Sequence, residues 1–217
     1  MNRNDFRIVI PSCDKQHSDD VYNHIINSGI DSKLVIKKDG TGYPSFSKLI
    51  NDSILATDTE VVIICSDRCK PTHEQVERTL NLLDEGFGFV GLWRFAFFGF
   101  RKQLIQRVGF LDENYVGGGY EDTDFVLRLK EADIAYYEKE EIDYRASGSR
   151  WAIRENHGYH NKKWFVDEHC VKRLSSESMH NYDLGEWPDV TFLNWNHSLL
   201  LDRSRNLIHK TFIGEEK

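Results

Sequence analysis

Glu60-Val61-Val62-Ile63-Ile64-Cys65, followed at once by Ser66-Asp67-Arg68-Cys69-Lys70-Pro71, is the stretch whose reading decides the fold. A short apolar run rich in β-branched residues and bounded by turn chemistry reads as a buried strand. On its N-terminal side, Ser45 to Ala56 places Phe46, Leu49, Ile50 and Ile54 on one helical face, while Lys48 and Asn51 share another and are expected to look toward a ligand. Before that helix, Lys33 to Lys37 reads as a strand ending in the turn Asp39-Gly40-Thr41-Gly42, Asp19 to Ser28 as a helix closed by Gly29, and Phe6 to Pro11 as the first strand. On the C-terminal side, Thr72 caps a helix with Gln75 three residues on, Gly86 ends it, and Phe87 to Leu92 is a further strand. Strands alternating with helices at this spacing predict an α/β fold with a mainly parallel central sheet flanked by helices. Ligands bind such sheets beyond the strand C-termini. Those ends hold Pro11-Ser12, Lys38-Asp39-Gly40 and Ser66-Asp67-Arg68, a set suited to a nucleotide.

Farther on, Phe95 to Phe100 reads as an aromatic strand, Arg101 to Val108 as a short helix, and Asp112 to Gly119 as a glycine-rich loop. Phe125, Val126, Leu129 and Ala132 recur at helical spacing, so Glu121 and Asp122 fall at a helix start; Ile134 to Tyr137 and Ile142 to Tyr144 read as short strands. At 217 residues the chain is expected to be a single catalytic domain, its core about 5–150 and 151–217 a C-terminal extension on the acceptor side. A net charge of −7 argues against the basic stripe that sequence-independent nucleic-acid binding needs. Four cysteines without a Cys-x-x-Cys, no apolar run long enough to cross a membrane and no signal-peptide pattern lead to the expectation of a soluble cytoplasmic protein.

Val108-Gly109-Phe110-Leu111-Asp112-Glu113, then Gly118-Gly119-Tyr120-Glu121-Asp122-Thr123-Asp124-Phe125-Val126-Leu127-Arg128-Leu129, resembles the C-terminal half of family-two and β-1,4-galactosyltransferase-like enzymes of the GT-A fold, the Rossmann-like fold of nucleotide-diphospho-sugar transferases. Ile8 to Ser12, the helix around Phe46 to Asn51, and Val62 to Pro71 fall where those families carry their nucleotide-binding strand, second helix and Asp-x-Asp element. The resemblance implies an inverting glycosyltransferase with a nucleotide-sugar donor, UDP being favoured. It makes Asp122 the general base and Glu121 the group that positions the acceptor. Donor contacts fall on Pro11, Ser12, Asp39, Lys48, Asn51, Ser66, Asp67 and Arg68, and acceptor contacts on Gly118, Gly119, Tyr120 and Trp93. Acceptors could include a glycan, a protein, a small molecule or a modified nucleobase.

A divalent cation, Mn or Mg, follows from the same resemblance, with Asp67 as its ligand and His157 or His160 standing in for the families' late histidine. The sequence departs from the pattern here, because Arg68 occupies the place of the second carboxylate. Either Asp67 binds the cation with water and phosphate oxygens, or Arg68, Lys70 and Arg150 stabilise the departing diphosphate directly. Two plainer readings stand beside these. Asp122 and Thr123 would cap the following helix with Glu121 and Asp124 on its dipole, and Asp67 would be a turn residue ahead of Pro71. The alternative function is a non-catalytic nucleotide or glycan binding module. A nucleotidyltransferase is disfavoured because Pro11-Ser12-Cys13-Asp14-Lys15 lacks a glycine-rich loop after the first strand.

Overall fold

The computed structural model describes residues 5–145 together with 156, 159 and 160. In chain order the strands are β1 (Phe6–Ser12), β2 (Val35–Asp39), β3 (Val61–Cys65), β4 (Phe89–Phe95), β5 (Phe97–Arg101) and β6 (Tyr136–Glu138). The helices are α1 (Lys15–Asn27), α2 (Phe46–Leu55), α3 (His73–Asp84), α4 (Gln103–Val108) and α5 (Glu121–Glu131). The strands make one six-stranded sheet in the order β2-β1-β3-β5-β4-β6. Pairing is parallel throughout except around β5, which runs antiparallel to both β3 and β4. Five strands therefore share one direction, and their C-terminal ends share one edge.

Alternation along the strands sorts the core into two layers. Ile8, Ile10 and Ile63 face one side with Val21 and Ile25 of α1 and Val76, Leu80 and Leu83 of α3. Val9, Val62, Ile64, Phe98 and Phe100 face the other, against Ile50 and Ile54 of α2, Leu104 of α4 and Phe125, Val126 and Leu129 of α5. Val61 to Ile64 are at most 1% exposed, as a strand covered on both faces must be.

The local signals explain where the elements start and stop. The Thr72 side chain accepts from the Gln75 backbone while the Gln75 side chain accepts from the Thr72 backbone, the expected capping box. α1 begins four residues earlier than Asp19, because the Asp14 carboxylate accepts from His17 N and caps the helix there. Ser32–Leu34 forms a 3-10 turn capped by Asp31, so β2 starts at Val35 rather than Lys33. Ile142 to Tyr144 is not a strand: Tyr144 makes one isolated bridge, to Cys69. Between β4 and β5 the chain reverses tightly, with Ala96 N donating to Trp93 O and Arg94 at a φ of 41°. Among the described residues, no helix is long and apolar enough to cross a membrane.

Candidate active site

At the shared edge, β1 and β3 are joined by a side-chain contact. The Ser12 hydroxyl hydrogen-bonds Asp67 Oδ2, and Ser12 Oγ accepts from Asp14 N at 2.9 Å. Asp67 Oδ1 lies 3.8 Å from Arg68 Nε and within 3.5 Å of the Ser66 hydroxyl. Pro11 pairs with Lys38 and Ser12 with Asp39 in the β1–β2 register, and the Asp39 carboxylate accepts from Thr41 N at 2.8 Å, which forms the expected turn. Gly40 lets these ends close up: its N–H donates to Ser12 O at 2.7 Å, and a Cβ there would come within 2.8 Å of Leu49 and 3.2 Å of Ser12 O.

The helix start carrying Glu121 and Asp122 reaches the same edge by two routes. The first runs through the glycine-rich loop. Phe46 N donates to Gly117 O, Gly117 N donates to Pro44 O at 3.1 Å, and Ser45 bridges Gly117, so the loop is stitched to the start of α2 just beyond β2. The second runs through β6 and β4. Gly91 is in register with Glu138, and Glu138 feels both the Asp122 charge and the Arg94 guanidinium. Arg94 sits in the 93–96 turn, whose Ala96 carbonyl accepts from Ser66 N at 2.7 Å. Trp93, partly buried, stacks on Tyr144 with ring centroids 5.1 Å apart at 18°.

The electrostatics of this corner are unusual. Glu121 is 7% exposed, and its Oε2 is buried without a hydrogen-bond partner. Burial first, and the Asp122 charge second, push its carboxyl up to about 8. Glu138 is pushed up to about 7, again by burial first and by Asp122 second. The next acid in the motif plays a different part. Asp124 is fully buried and its Oδ2 accepts from Arg128 Nε at 3.0 Å and from an Arg128 terminal nitrogen at 2.7 Å, while the other arm of that guanidinium donates to the carbonyls of Val108 and Phe110. Arg128 thus ties α5 to the end of α4 and the loop after it.

Lys48 and Asn51, expected side by side toward a ligand, are used within the chain. The Asn51 amide is 2% exposed, donates to Leu111 O and Glu113 Oε1 at 2.9 Å each, and accepts from Leu111 N at 3.1 Å. Lys48 Nζ pairs with Asp52 at 2.8 Å, which raises its pKa. The partners of Asn51 lie 60 and 62 positions away and leave no local trace.

Three residues unmarked in the sequence reading belong to the same region. Glu138 and Arg94 carry no motif. Asn156, helical and 1% exposed, donates to the carbonyls of Val116, Gly118 and Gly119. His160 is buried, with Nδ1 2.8 Å from the Tyr115 hydroxyl and its ring 5.0 Å from that of Tyr120. Among the described residues no three His, Cys, Asp or Glu side chains converge as a metal cage. His157 and Arg150 lie outside the described residues.

No family profile and no curated protein matches the sequence. Solved structures do. The catalytic domain of Drosophila β-1,4-galactosyltransferase 7, in complex with xylobiose, superposes with a TM-score of 0.52 at 14% identity, over 81% of this chain and 80% of that one. Glucosyl-3-phosphoglycerate synthase of Mycobacterium tuberculosis superposes with a TM-score of 0.50 at 12% identity, over 67% of this chain and 73% of that one. A mutant of the Drosophila enzyme in complex with manganese, UDP-Gal and xylobiose gives 0.49 at 15% identity, over 80% and 81%. The sheet with its single antiparallel strand and its two helical layers has the fold of the GT-A glycosyltransferases.

Proposed function

We propose that this chain is a glycosyltransferase that moves a sugar from a nucleotide-sugar donor, UDP-sugar in the first instance, to an acceptor hydroxyl with inversion. The observation that carries the reading is the gathering of two kinds of chemistry at one sheet edge. Ser12, Asp39, Ser66, Asp67 and Arg68 form the polar mouth of β1 to β3, and Glu121, Asp122 and Glu138 form an acidic corner connected to it through the 93–96 turn and the glycine loop.

In this reading the acceptor oxygen attacks the anomeric carbon from the face opposite the diphosphate. Its proton passes to the Asp122 carboxylate, the bond from the anomeric carbon to the diphosphate oxygen breaks, and the nucleoside diphosphate leaves with the electron pair. A base in hydrogen-bond reach of the hydroxyl accelerates such a step by roughly a hundred- to ten-thousandfold. Glu121, with one buried oxygen unpartnered, supplies a hydrogen-bonding group to orient the acceptor. Trp93 and the Gly118–Tyr120 segment would line the acceptor side, and residues 151–217 would extend it.

Asp67 fits a divalent cation of the kind that arrives with its substrate. It offers one carboxylate at 16% side-chain exposure, and such ions are commonly held by one or two carboxylates plus phosphate oxygens and water. When bound, the cation would neutralise charge growing on the departing diphosphate. Arg68, within 3.8 Å of the same carboxylate, would add its own positive charge there.

A screen of nucleoside diphosphates and nucleotide sugars by thermal shift, each with and without Mn²⁺ or Mg²⁺, tests the reading. Stabilisation by a UDP species that deepens with metal and is lost in Asp67→Asn is expected; indifference to every nucleotide would remove it. The Arg68–Asp67 contact also favours a second reading, a nucleotide-binding module without turnover. Its signature would be nucleotide stabilisation with neither transfer nor donor hydrolysis.

A further inference from the structure

α5 enters the site in an odd way. Its N-cap residue is Tyr120, at φ 73° and ψ −14°, whose own side chain makes no capping bond, and the Thr123 N–H in the first turn donates instead to Asp122 Oδ1 at 2.7 Å. A left-handed residue other than glycine costs roughly 1 kcal/mol or more. Gly117 and Gly119 are left-handed too, at φ 68° and 105°. Three positive-φ residues in four give a short segment many conformations in the unclasped state. Yet the residue it delivers, Glu121, is buried and must arrive in one place.

One side chain outside the loop holds the conformation. Asn156 Oδ1 accepts from Val116 N at 2.9 Å, and Asn156 Nδ2 donates to Val116 O at 2.9 Å, Gly118 O at 3.1 Å and Gly119 O at 3.0 Å. An amide nitrogen has two hydrogens, so three acceptors mean one shared bond. Few side chains could take its place: a carboxylate would turn an acceptor toward three carbonyls, and a hydroxyl could not reach both sides of Val116. Two further contacts clasp the flank. Tyr159 donates to Asp112 Oδ2 at 2.7 Å, and Asn114 Nδ2 donates to Tyr159 Oη at 3.2 Å. Across the loop, Pro44 and Phe46 hold Gly117 from the α2 side. The loop is therefore gripped from both sides, and on the C-terminal side the grip rests on Asn156.

We propose that Asn156 is a positioning residue of this site: by fixing the peptide carbonyls of residues 116, 118 and 119 it sets the left-handed turn at Tyr120 and so the placement of Glu121 and Asp122. Asn156 touches no reacting atom in this scheme. It rests on the glycosyltransferase reading only for its consequence in transfer; the clasp itself is a statement about the loop.

The test uses the full chain carrying Asn156→Ser, which adds no charge beside Glu121, with Asn156→Ala as the second variant should the first not fold. Three readouts are followed: amide hydrogen exchange, the titration of the Glu121 carboxyl by ¹³C NMR, and the thermal shift with UDP and Mn²⁺. Exchange at Val116 to Glu121 is expected to rise at least tenfold while β1 and β3 amides keep their rates. The Glu121 midpoint, about 8 in the intact site, is expected to fall as the opened loop admits water. The UDP response should stay within about twofold, since Ser12 and Asp67 are untouched. Unchanged exchange and midpoint would overturn the proposal, and so would a uniform rise in exchange across β1 and β3, which would make Asn156 a residue of the general fold. If UDP does not bind the wild type, the donor reading fails, while the exchange and titration results still decide the clasp.

Discussion

Arg128→Met should be among the most damaging single substitutions in the chain, although it removes no group proposed to meet a substrate. The Arg128 guanidinium is fully buried and makes four hydrogen bonds: two to Asp124 Oδ2, one to Val108 O and one to Phe110 O. Methionine keeps most of the volume and the stem packing while removing all four. Breaking a buried ion pair from one side costs about 3–5 kcal/mol, because the remaining charge loses its counter-charge. The two carbonyls each lose a charged donor, worth about 1 kcal/mol or more apiece. The expected loss is about 5–7 kcal/mol, a large part of the stability of an ordinary domain. With a urea m-value of about 2–3 kcal/mol/M, the unfolding midpoint should drop by about 2 M. Adding Asp124→Asn removes the stranded charge, so the double variant should be more stable than Arg128→Met alone. Urea unfolding of wild type, the two singles and the double, arranged as a mutant cycle, measures this. A midpoint shift below about 0.5 M, or a double variant worse than Arg128→Met, would refute the assignment of Asp124 as Arg128's buried counter-charge.

Two further outcomes follow from the same geometry. Glu138 and Glu121 have folded pKa values raised to about 7 and about 8 above an ordinary 4.5. The folded chain therefore holds protons that the unfolded chain has released, and the stability tied to these groups is lost as pH rises from about 4.5 through 7 to 8. Glu138→Gln should accordingly stabilise the chain by about 2 kcal/mol at pH 8 and by little at pH 4.5, read as the difference in urea midpoint at the two pH values. Gly91→Ala should destabilise by about 1–3 kcal/mol, because its Cβ would sit 2.7 Å from the Arg94 carbonyl oxygen, a backbone atom of the β4–β5 turn that cannot swing aside. Melting temperature checks this, and an unchanged value would mean the turn is looser than its bond from Ala96 N to Trp93 O implies.

Much of the fold was legible because it is written in short-range signals. The β-branched run at Val61 to Ile64, the Thr72–Gln75 capping box and the glycines at helix ends each act over a few residues, and the structure repeats them closely. Boundaries moved where a polar side chain outcompeted apolar periodicity, as at Asp14 and Asp31. The direction of β5 was not legible. Phe97 to Phe100 is apolar whichever way it runs, and its insertion between β3 and β4 depends on the Arg94 turn and on pairing across the sheet. The candidate site divides in the same way. Glu121 and Asp122 stood out because their motif is contiguous, and Ser12, Asp39 and Asp67 because strand ends collect ligands in parallel sheets. Asn51 was read from one helix face, but its partners are 60 and 62 positions away. Asn156 reaches back 37 to 40 positions and Glu138 gains its environment from α5, so neither carries a local mark.

The most direct test of sugar transfer at this edge is UDP release from a UDP-sugar in the presence of an acceptor pool, comparing wild type with Asp122→Asn. The wild type is expected to turn over. The variant is expected to lose roughly a hundred- to ten-thousandfold in rate while its thermal response to UDP and Mn²⁺ stays that of the wild type. Turnover by Asp122→Asn at the wild-type rate would contradict the account, because the proton would then leave the acceptor by another route.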